Sequence, residues 1–222
     1  SNSDDVLIHF QESPQGLATP PNEIVCFDNF FHEIILSTSN GMDAVTTYAW
    51  TRDKAGIVFG IPASGTGNIS GPLHNITPEV QLVTFTITPT SAAGCQGADF
   101  DVTIEVFPEI QIDYLENQVI CSFESTDPIH FSSFVASGTM AYTWVNTEPS
   151  IGLAPNGSGD ILPFPALNFG VAPVVAYITV LPELTYNGLT CMGNAEMFTI
   201  TINPMPQLNS PPDQVVCNND PV

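Results

Sequence analysis

The chain has 222 residues, 43% of them hydrophobic and 11% charged, and its 23 acidic and 2 basic residues give a formal net charge of −21. A charge of this size repels phosphate backbones and anionic lipid surfaces, so nucleic acids and membrane surfaces are disfavoured as partners. No apolar run approaches the about 20 residues that cross a bilayer, and residues 1–5 lack the basic and apolar parts of a signal peptide. We therefore expect a mature or excised segment.

The first predicted strand covers residues 6–10. Its first valine lies 20 residues before Cys26, and Val102 opens a similar stretch 19 residues before Cys121. Residues 1–13 are therefore either the last strand of a preceding repeat or the first strand of unit one. The sequence leaves both interpretations open.

Short strands are predicted along the rest of the chain. In unit one they lie at residues 22–26, 30–36, around 48–50, 84–88 and 101–106, and unit two repeats this plan up to residues 198–202. Several of them alternate apolar and polar residues, as strands do when one face contacts a core. Proline cannot donate to a strand ladder, so the prolines that follow these runs are expected to end them; they are Pro89, Pro108, Pro182 and Pro204.

Composition and strand number together predict the fold class. The chain contains 20 Pro and 16 Gly, with abundant Thr, Ile, Val and Phe, which favours short strands joined by turns. About seven strands per unit are typical of an immunoglobulin-like β-sandwich. The prediction is an all-β chain of tandem immunoglobulin-like sandwiches, and a closed barrel is the less favoured alternative.

One motif occurs twice and sets the period of the chain. Tyr48-Ala-Trp50 and Tyr142-Thr-Trp144 are each followed by Gly-[Ile/Leu]-x-x-x-Gly-x-Gly-x-Ile, and equivalent Trp and Cys residues are 94 to 96 residues apart. This period exceeds that of solenoid repeats and matches a small domain. It predicts sandwich repeats at residues 14–108 and 109–205 and the start of a third repeat at 206–222.

Each predicted repeat holds an early and a late cysteine at matched spacing. Cys26 and Cys95 are 69 residues apart, and Cys121 and Cys191 are 70 apart. In an acidic chain without zinc-type spacing, this predicts one disulfide inside each unit, Cys26–Cys95 and Cys121–Cys191, with reduced buried cysteines as the alternative. Cys217 is expected to lack a partner within this chain. Disulfides indicate an oxidising, extracytoplasmic compartment.

The aromatic residues of the repeated motif are predicted to lie in the core; they are Trp50, Trp144, Tyr48 and Tyr142. A single Trp at the same place in each unit is explained more simply as a core anchor than as the exposed stacking platform of a sugar-binding module. The glycine loops at 65–67 and 157–159 lack the lysine and helix of a phosphate cradle and are predicted to be turns.

The residues carry no pattern of catalytic or metal-binding groups shared by the units. The four histidines do not recur between units and have no metal-ligand spacing; they are His9, His32, His74 and His130. Asp99 and Asp101 are a conceivable glycosidase acid pair, but Ala195 and Met197 stand at the matching positions of unit two. The sequence predicts no enzyme and no organic cofactor.

Acidic residues near the predicted junction are candidates for calcium. Asp99, Asp101, Glu105 and Glu109 cluster there with Asp113 and Glu116, and such hard oxygen ligands suit Ca²⁺. The ligand-spaced loop of a dedicated site is missing, so a solvated acidic face is the alternative. Three Asn-x-Ser/Thr triplets, beginning at Asn68, Asn75 and Asn156, matter only in a eukaryotic secretory pathway.

Longer phrases of unit two resemble a known family. They are Trp144 with Pro149-Ser-Ile-Gly152-Leu-Ala and Gly157-Ser-Gly159, then Ile178-Thr-Val-Leu-Pro182, Tyr186-Asn-Gly188, Cys191 and Gly193, then Phe198-Thr-Ile-Thr-Ile-Asn-Pro204 and Gln214-Val-Val-Cys217. These phrases are similar to the PKD-like repeats of very large Bacteroidetes cell-surface adhesins, of the SprB-like gliding-motility type. Unit one departs from the pattern at residues 51–54 and in the longer segment before Cys26.

This resemblance implies a chain exported by the type IX secretion system to the outer cell surface, where such proteins form filaments that touch the substratum. We expect a structural or adhesive segment in an extended stalk, whose partners are further repeats of the same polypeptide. The alternative is a polysaccharide-binding accessory module of a secreted enzyme. The strand at residues 213–217 requires either a continuing third repeat or strand addition between molecules, which would build a filament.

Overall fold

A computed structural model describes residues 10–207 of the chain. The predicted strand at residues 6–10, together with His9, Cys217 and the strand at 213–217, lies outside the described residues. The fold is all-β and consists of immunoglobulin-like sandwiches. Two compact units can be separated, and their boundary differs from that of the sequence repeats. Among the described residues, unit 1 comprises 10–113 with Ser132–Tyr142 and Leu181–Ala195, and unit 2 comprises Tyr114–Phe131, Thr143–Val180 and 196–207.

Nine strands belong to the first sequence repeat. They are β1 (Gly16–Thr19), β2 (Asn22–Val25), β3 (Ile35–Thr38), β4 (Thr46–Arg52), β5 (Val58–Gly60), β6 (Ser64–Thr66), β7 (Leu73–Asn75), β8 (Gln81–Ser91) and β9 (Phe100–Val106). A single 3-10 turn, Asp43–Val45, precedes β4.

One sheet of this repeat has the order β2-β9-β8-β4-β6, and the facing layer contains the pairs β1–β3 and β5–β7. All these pairs are antiparallel except β2–β9, which is parallel, with Asn22 opposite Thr103 and Val25 opposite Val106. Pro89 lies within β8 rather than ending it. Its carbonyl accepts a hydrogen bond from the Gly97 N–H at 2.9 Å, so it contributes to the strand as an acceptor alone.

Six strands belong to the second repeat. They are β10 (Gln118–Cys121), β11 (Thr139–Asn146), β12 (Asn156–Ser158), β13 (Val174–Tyr186), β14 (Leu189–Met192) and β15 (Glu196–Asn203), with a 3-10 turn at Pro149–Ile151. Their order is β10-β15-β13-β11-β12, and β14 pairs with the end of β13. The β10–β15 pair is parallel, as β2–β9 is. Pro182 lies inside β13 and not after its end.

Alternating strand residues form the cores. In β4 the side chains of Tyr48, Trp50 and Arg52 point inward, and in β8 and β9 the inward positions are Val83, Phe85, Ile87, Val102 and Ile104, all buried. Unit 2 has its own buried set around Trp144, Ile178, Phe198 and Ile200. Within the part of the chain that the structure describes, no helix has the length and apolarity of a membrane span.

Candidate functional site

The repeated Tyr-x-Trp and Gly-x-Gly motifs form one packing device in each repeat. Trp50 lies opposite Gly65 in the β4–β6 pair, and Trp144 lies opposite Gly157 in the β11–β12 pair. A Cβ atom at either glycine would be 2.2 Å from the indole ring, so only glycine lets the strand lie against the ring. Each indole N–H donates to the carbonyl of the second glycine, Gly67 or Gly159, at 3.1 Å.

The predicted core residues are placed as follows. Trp50 and Trp144 are buried, with 7% and 8% of their surface exposed, and Tyr48 is also buried. Burial, and then the nearby Asp43 carboxylate, raise the pKa of Tyr48 above its ordinary value. Tyr142 is half-buried at the equivalent position of β11. The indole rings are therefore not available as stacking platforms for a sugar.

Two residues that the sequence analysis did not single out complete this inward face. Arg52 is buried and donates to the carbonyls of Val58 and Ile61, at 2.9 Å each. Asn146 is its counterpart in β11, and its side-chain amide donates to Leu153 and Ala154 at 3.1 and 3.3 Å. Burial lowers the pKa of Arg52, while the Asp53 charge opposes this shift. Residue type alone gave no signal for this role, because arginine is rarely buried without a carboxylate.

The disulfide differs from the predicted pairs. Cys26 is bonded to Cys191, 165 residues away, with their Cα atoms 5.6 Å apart, and Cys95 and Cys121 are free thiols. The predicted Cys26–Cys95 bond is wrong because β2 runs parallel to β9. This alignment places Cys26 beside the end of β9, whereas Cys95 lies in the turn before β9 begins. A seven-residue strand spans about 23 Å, far beyond the roughly 4.4–6.8 Å between the Cα atoms of a disulfide.

The second repeat has the same arrangement, so the predicted Cys121–Cys191 bond is wrong for the same reason. Cys121 lies opposite Asn203, the last residue of β15, in the parallel β10–β15 pair. Cys191 belongs to β14 and precedes the first residue of β15. The cysteines of one repeat therefore flank opposite ends of its last strand.

The observed bond lies in an apolar cluster within unit 1, which we call the disulfide cluster. Its buried members are Phe107, Ile110, Leu184 and Cys191, and Ile24, Cys26, Val80, Val135, Met140, Tyr186 and Leu189 pack against them. Phe107 and Tyr186 meet edge to face with ring centroids 6.0 Å apart. The cluster unites residues from two successive sequence repeats, and this is the feature that the sequence analysis missed.

Three of the four candidate calcium ligands accept hydrogen bonds, each from a different residue. Thr86 and Thr88 donate through their hydroxyls to Asp101 and Asp99, at 2.8 and 2.6 Å. The side chain of Asn187 donates to Glu105 at 3.0 Å. Over residues 10–207 no group of three or more His, Cys, Asp or Glu side chains is arranged to hold a metal ion.

Three histidines contact a carboxylate near the surface. His32 lies 3.0 Å from Glu23, His74 lies 3.2 Å from Asp28, and His130 lies 2.7 Å from Asp160. The Phe131 N–H and then His130 lower the pKa of Asp160 below its ordinary value by hydrogen bonding to it. These pairs do not share a position between the repeats.

Comparison with known proteins gives a family match and several fold likenesses. Human protocadherin-24 EC1-2 is 12% identical, with a TM-score of 0.42, over 88% of this chain and 100% of that chain. Three N-terminal domains of the bacteriophage RB49 highly immunogenic outer capsid protein are 12% identical, with a TM-score of 0.49, over 87% and 71%. The fibronectin(III)-like modules of Clostridium thermocellum CbhA are 12% identical, with a TM-score of 0.32, over 86% and 95%.

No curated protein matches the chain. Residues 24–110 match the family model described as a PKD-like domain. The matched segment runs from β2 to the residues just after β9. It supports a PKD-like, immunoglobulin-like family for the first repeat.

Proposed function

We propose that this chain is a load-bearing structural segment of a large, adhesive cell-surface protein. The observation that carries the proposal is the Cys26–Cys191 bond, which links successive repeats covalently. Features that recur in both repeats also serve the scaffold, namely the Trp–Gly packing and the inward Arg52 and Asn146. The two repeats therefore share residues that stabilise the fold.

The bond changes the path that tension takes through the chain. A force applied to the two ends follows the covalent chain from Cys26 to Cys191 through the sulfur atoms, so the residues between them cannot be pulled out to their full length. An unlinked stretch of 165 residues would extend by roughly 550–590 Å if it unfolded. A segment held in this way keeps its length under pulling, which suits a stalk.

The finer assignment rests on the sequence. The phrases that resemble those of Bacteroidetes surface adhesins favour an extracellular stalk or filament, exported by type IX secretion and used for attachment or gliding motility. The disulfide fits an oxidising, extracytoplasmic setting. The polysaccharide-binding alternative requires exposed, coplanar aromatic rings, and the two Trp rings that were its candidates are buried.

Single-molecule force spectroscopy tests the load-bearing role. The oxidised chain should not release the length enclosed by Cys26 and Cys191, and a reductant should add roughly 550–590 Å to the fully extended length. The Cys95→Ser variant is the matched control, because it removes a free thiol and keeps the bond. Release of the full length from the oxidised chain would refute the proposal. Antibody labelling of intact cells of the source organism tests the surface location.

A further inference from the structure

The early cysteines of the two repeats have the same local backbone. The Cys26 carbonyl accepts from the Asn29 N–H, and the Cys121 carbonyl accepts from the Glu124 N–H, both at 3.2 Å. The second residue after each cysteine has a left-handed backbone, with φ of 58° at Asp28 and 72° at Phe123. Cys121 is therefore the counterpart of Cys26 in conformation as well as in sequence, although only Cys26 is bonded.

The surface around Cys121 also matches the one that Cys191 covers in unit 1. Ile24 and Ile110 belong to the disulfide cluster, and Ile110 is 4% exposed. Their sequence counterparts, Val119 and Pro206, are exposed, Val119 to 69%. In unit 1 this surface is covered by the hairpin of β13 and β14, which carries Cys191. The equivalent surface beside the Cys121 thiol is exposed.

The late cysteines match as well. Behind Cys191, a Cβ at Gly193 would lie 2.3 Å from the Ile110 carbonyl oxygen, and behind Cys95, a Cβ at Gly97 would lie 1.9 Å from the Pro14 carbonyl oxygen. The residues of the two contacts are 96 positions apart: Gly193 lies 96 positions after Gly97, and Ile110 lies 96 positions after Pro14. Ile110 follows the last strand of the repeat that supplies Cys26. The loop of Cys95 therefore contacts the segment at Pro14. Relative to a preceding repeat, this segment occupies the position that Ile110 occupies relative to the first repeat.

We propose that Cys95 and Cys121 are halves of two further disulfides of the Cys26–Cys191 type, each completed by a neighbouring PKD-like repeat of the same polypeptide. Cys121 bonds the late cysteine of the following repeat, and Cys95 bonds the early cysteine of the preceding one. The two thiols lose two protons and two electrons to a disulfide oxidant of the thiol–disulfide exchange class, which leaves as two thiols. The formation of these disulfides does not depend on the biological function of the array.

Overlapping links of this kind would make the array almost inextensible. If Cys217 is the next early cysteine in the series, the shortest covalent route runs from Cys191 to Cys217, which is 217 − 191 = 26 residues. That route spans about 90 Å when fully extended. It replaces the 217 − 26 = 191 residues of two repeats as the part of the chain that carries tension.

Disulfide mapping on lengthened chains tests the proposal. One chain repeats residues 122–203 after Cys217, which places a copy of Cys191 one repeat further on. The other repeats residues 10–96 ahead of Ser1, with serine at the copy of Cys95, so that it adds a copy of Cys26 alone. Each is alkylated without reduction, digested and analysed by mass spectrometry. In the first chain Cys121 should be joined to the added cysteine and lose at least tenfold of its alkylation, and in the second chain Cys95 should behave in the same way.

The matched controls carry serine in place of the added cysteine, and in them both thiols should remain reactive. The 222-residue chain should yield the Cys26–Cys191 peptide with Cys95 and Cys121 alkylated. Finding Cys26 bonded to Cys95 in that chain overturns the proposal without any added repeat. Full alkylation of Cys121 and Cys95 in both lengthened chains overturns it too.

Discussion

At the scale of single residues, glycine and tryptophan form a matched pair in each repeat. The first glycine of Gly-x-Gly lies flat against the indole ring, so an added methyl group has no room. Gly65→Ala should lower the free energy of unfolding by about 1–3 kcal/mol, as overpacked core positions do. Gly56→Ala is the control, because a Cβ there meets nothing within 4 Å. Urea unfolding followed by tryptophan fluorescence should separate the two variants, and equal stability would contradict the packing argument.

Arg52 acts as a buried donor to carbonyls. Removing the guanidinium leaves the carbonyls of Val58 and Ile61 without these bonds inside the sandwich. Arg52→Ala should therefore lower the free energy of unfolding by about 2–4 kcal/mol, because the hydrogen bonds from the charged group are lost and the buried carbonyl oxygens are left without these donors. Lys54→Gln removes the other basic charge and is expected to change stability by less than about 0.5 kcal/mol. Similar losses in thermal unfolding for both variants would show that charge, and not the donor geometry, matters.

Asp160 gives a test of pH dependence. Its pKa is lowered in the folded chain by the Phe131 N–H and by His130, so its negative form stabilises the fold above the pKa of the unfolded chain. This stabilisation is lost as the pH falls through the lower, folded pKa. Asp160→Asn should be a few tenths of a kcal/mol less stable at pH 5, because the pair is largely exposed. The two proteins should converge near pH 2, and a difference that persists there would argue against a charge effect.

At the scale of elements, the strand content could be predicted from the sequence, and the partners of the strands could not. Alternation in β9 and β15 and the repeated Trp motif are local signals, so they predicted strands and an inward face. The parallel pairing of β2 with β9 and of β10 with β15 is not local, and a cysteine spacing of 69 or 70 residues does not say which end of a strand each cysteine faces. The disulfide prediction failed at that step. The predicted repeat boundaries remain predictions.

The disulfide should stabilise the unit that contains it. Its loop encloses most of the chain, and closing so long a loop restricts the unfolded state. The double variant Cys26→Ser/Cys191→Ser should lose roughly 2–5 kcal/mol in unit 1. Cys95→Ser should unfold as the unchanged chain does, because Cys95 is already a free thiol. Calorimetry on the three proteins decides the point, and an unaltered transition in the double variant would mean that the disulfide cluster holds without the bond.

At the scale of the whole molecule, charge sets the solution behaviour. Only two basic residues face 23 acidic ones, and Arg52 is buried, so the surface is acidic almost throughout. The packing of the cores must therefore hold the fold against mutual repulsion of carboxylates. Calcium is a candidate ligand of this acidic surface, because a cation shared between carboxylates would reduce the same repulsion.

Screening that repulsion should stabilise the protein. Raising NaCl from about 10 mM to 500 mM shortens the Debye length from about 30 Å to less than 8 Å, so the Tm should rise by several degrees. A Tm that is independent of salt would show that the acidic residues are too far apart to repel one another.

A comparison of calcium with magnesium at matched ionic strength separates screening from binding. A rise in Tm specific to Ca²⁺, and lost in Asp99→Asn/Asp101→Asn, would place a cation at these carboxylates, whereas equal rises for both ions would indicate screening alone.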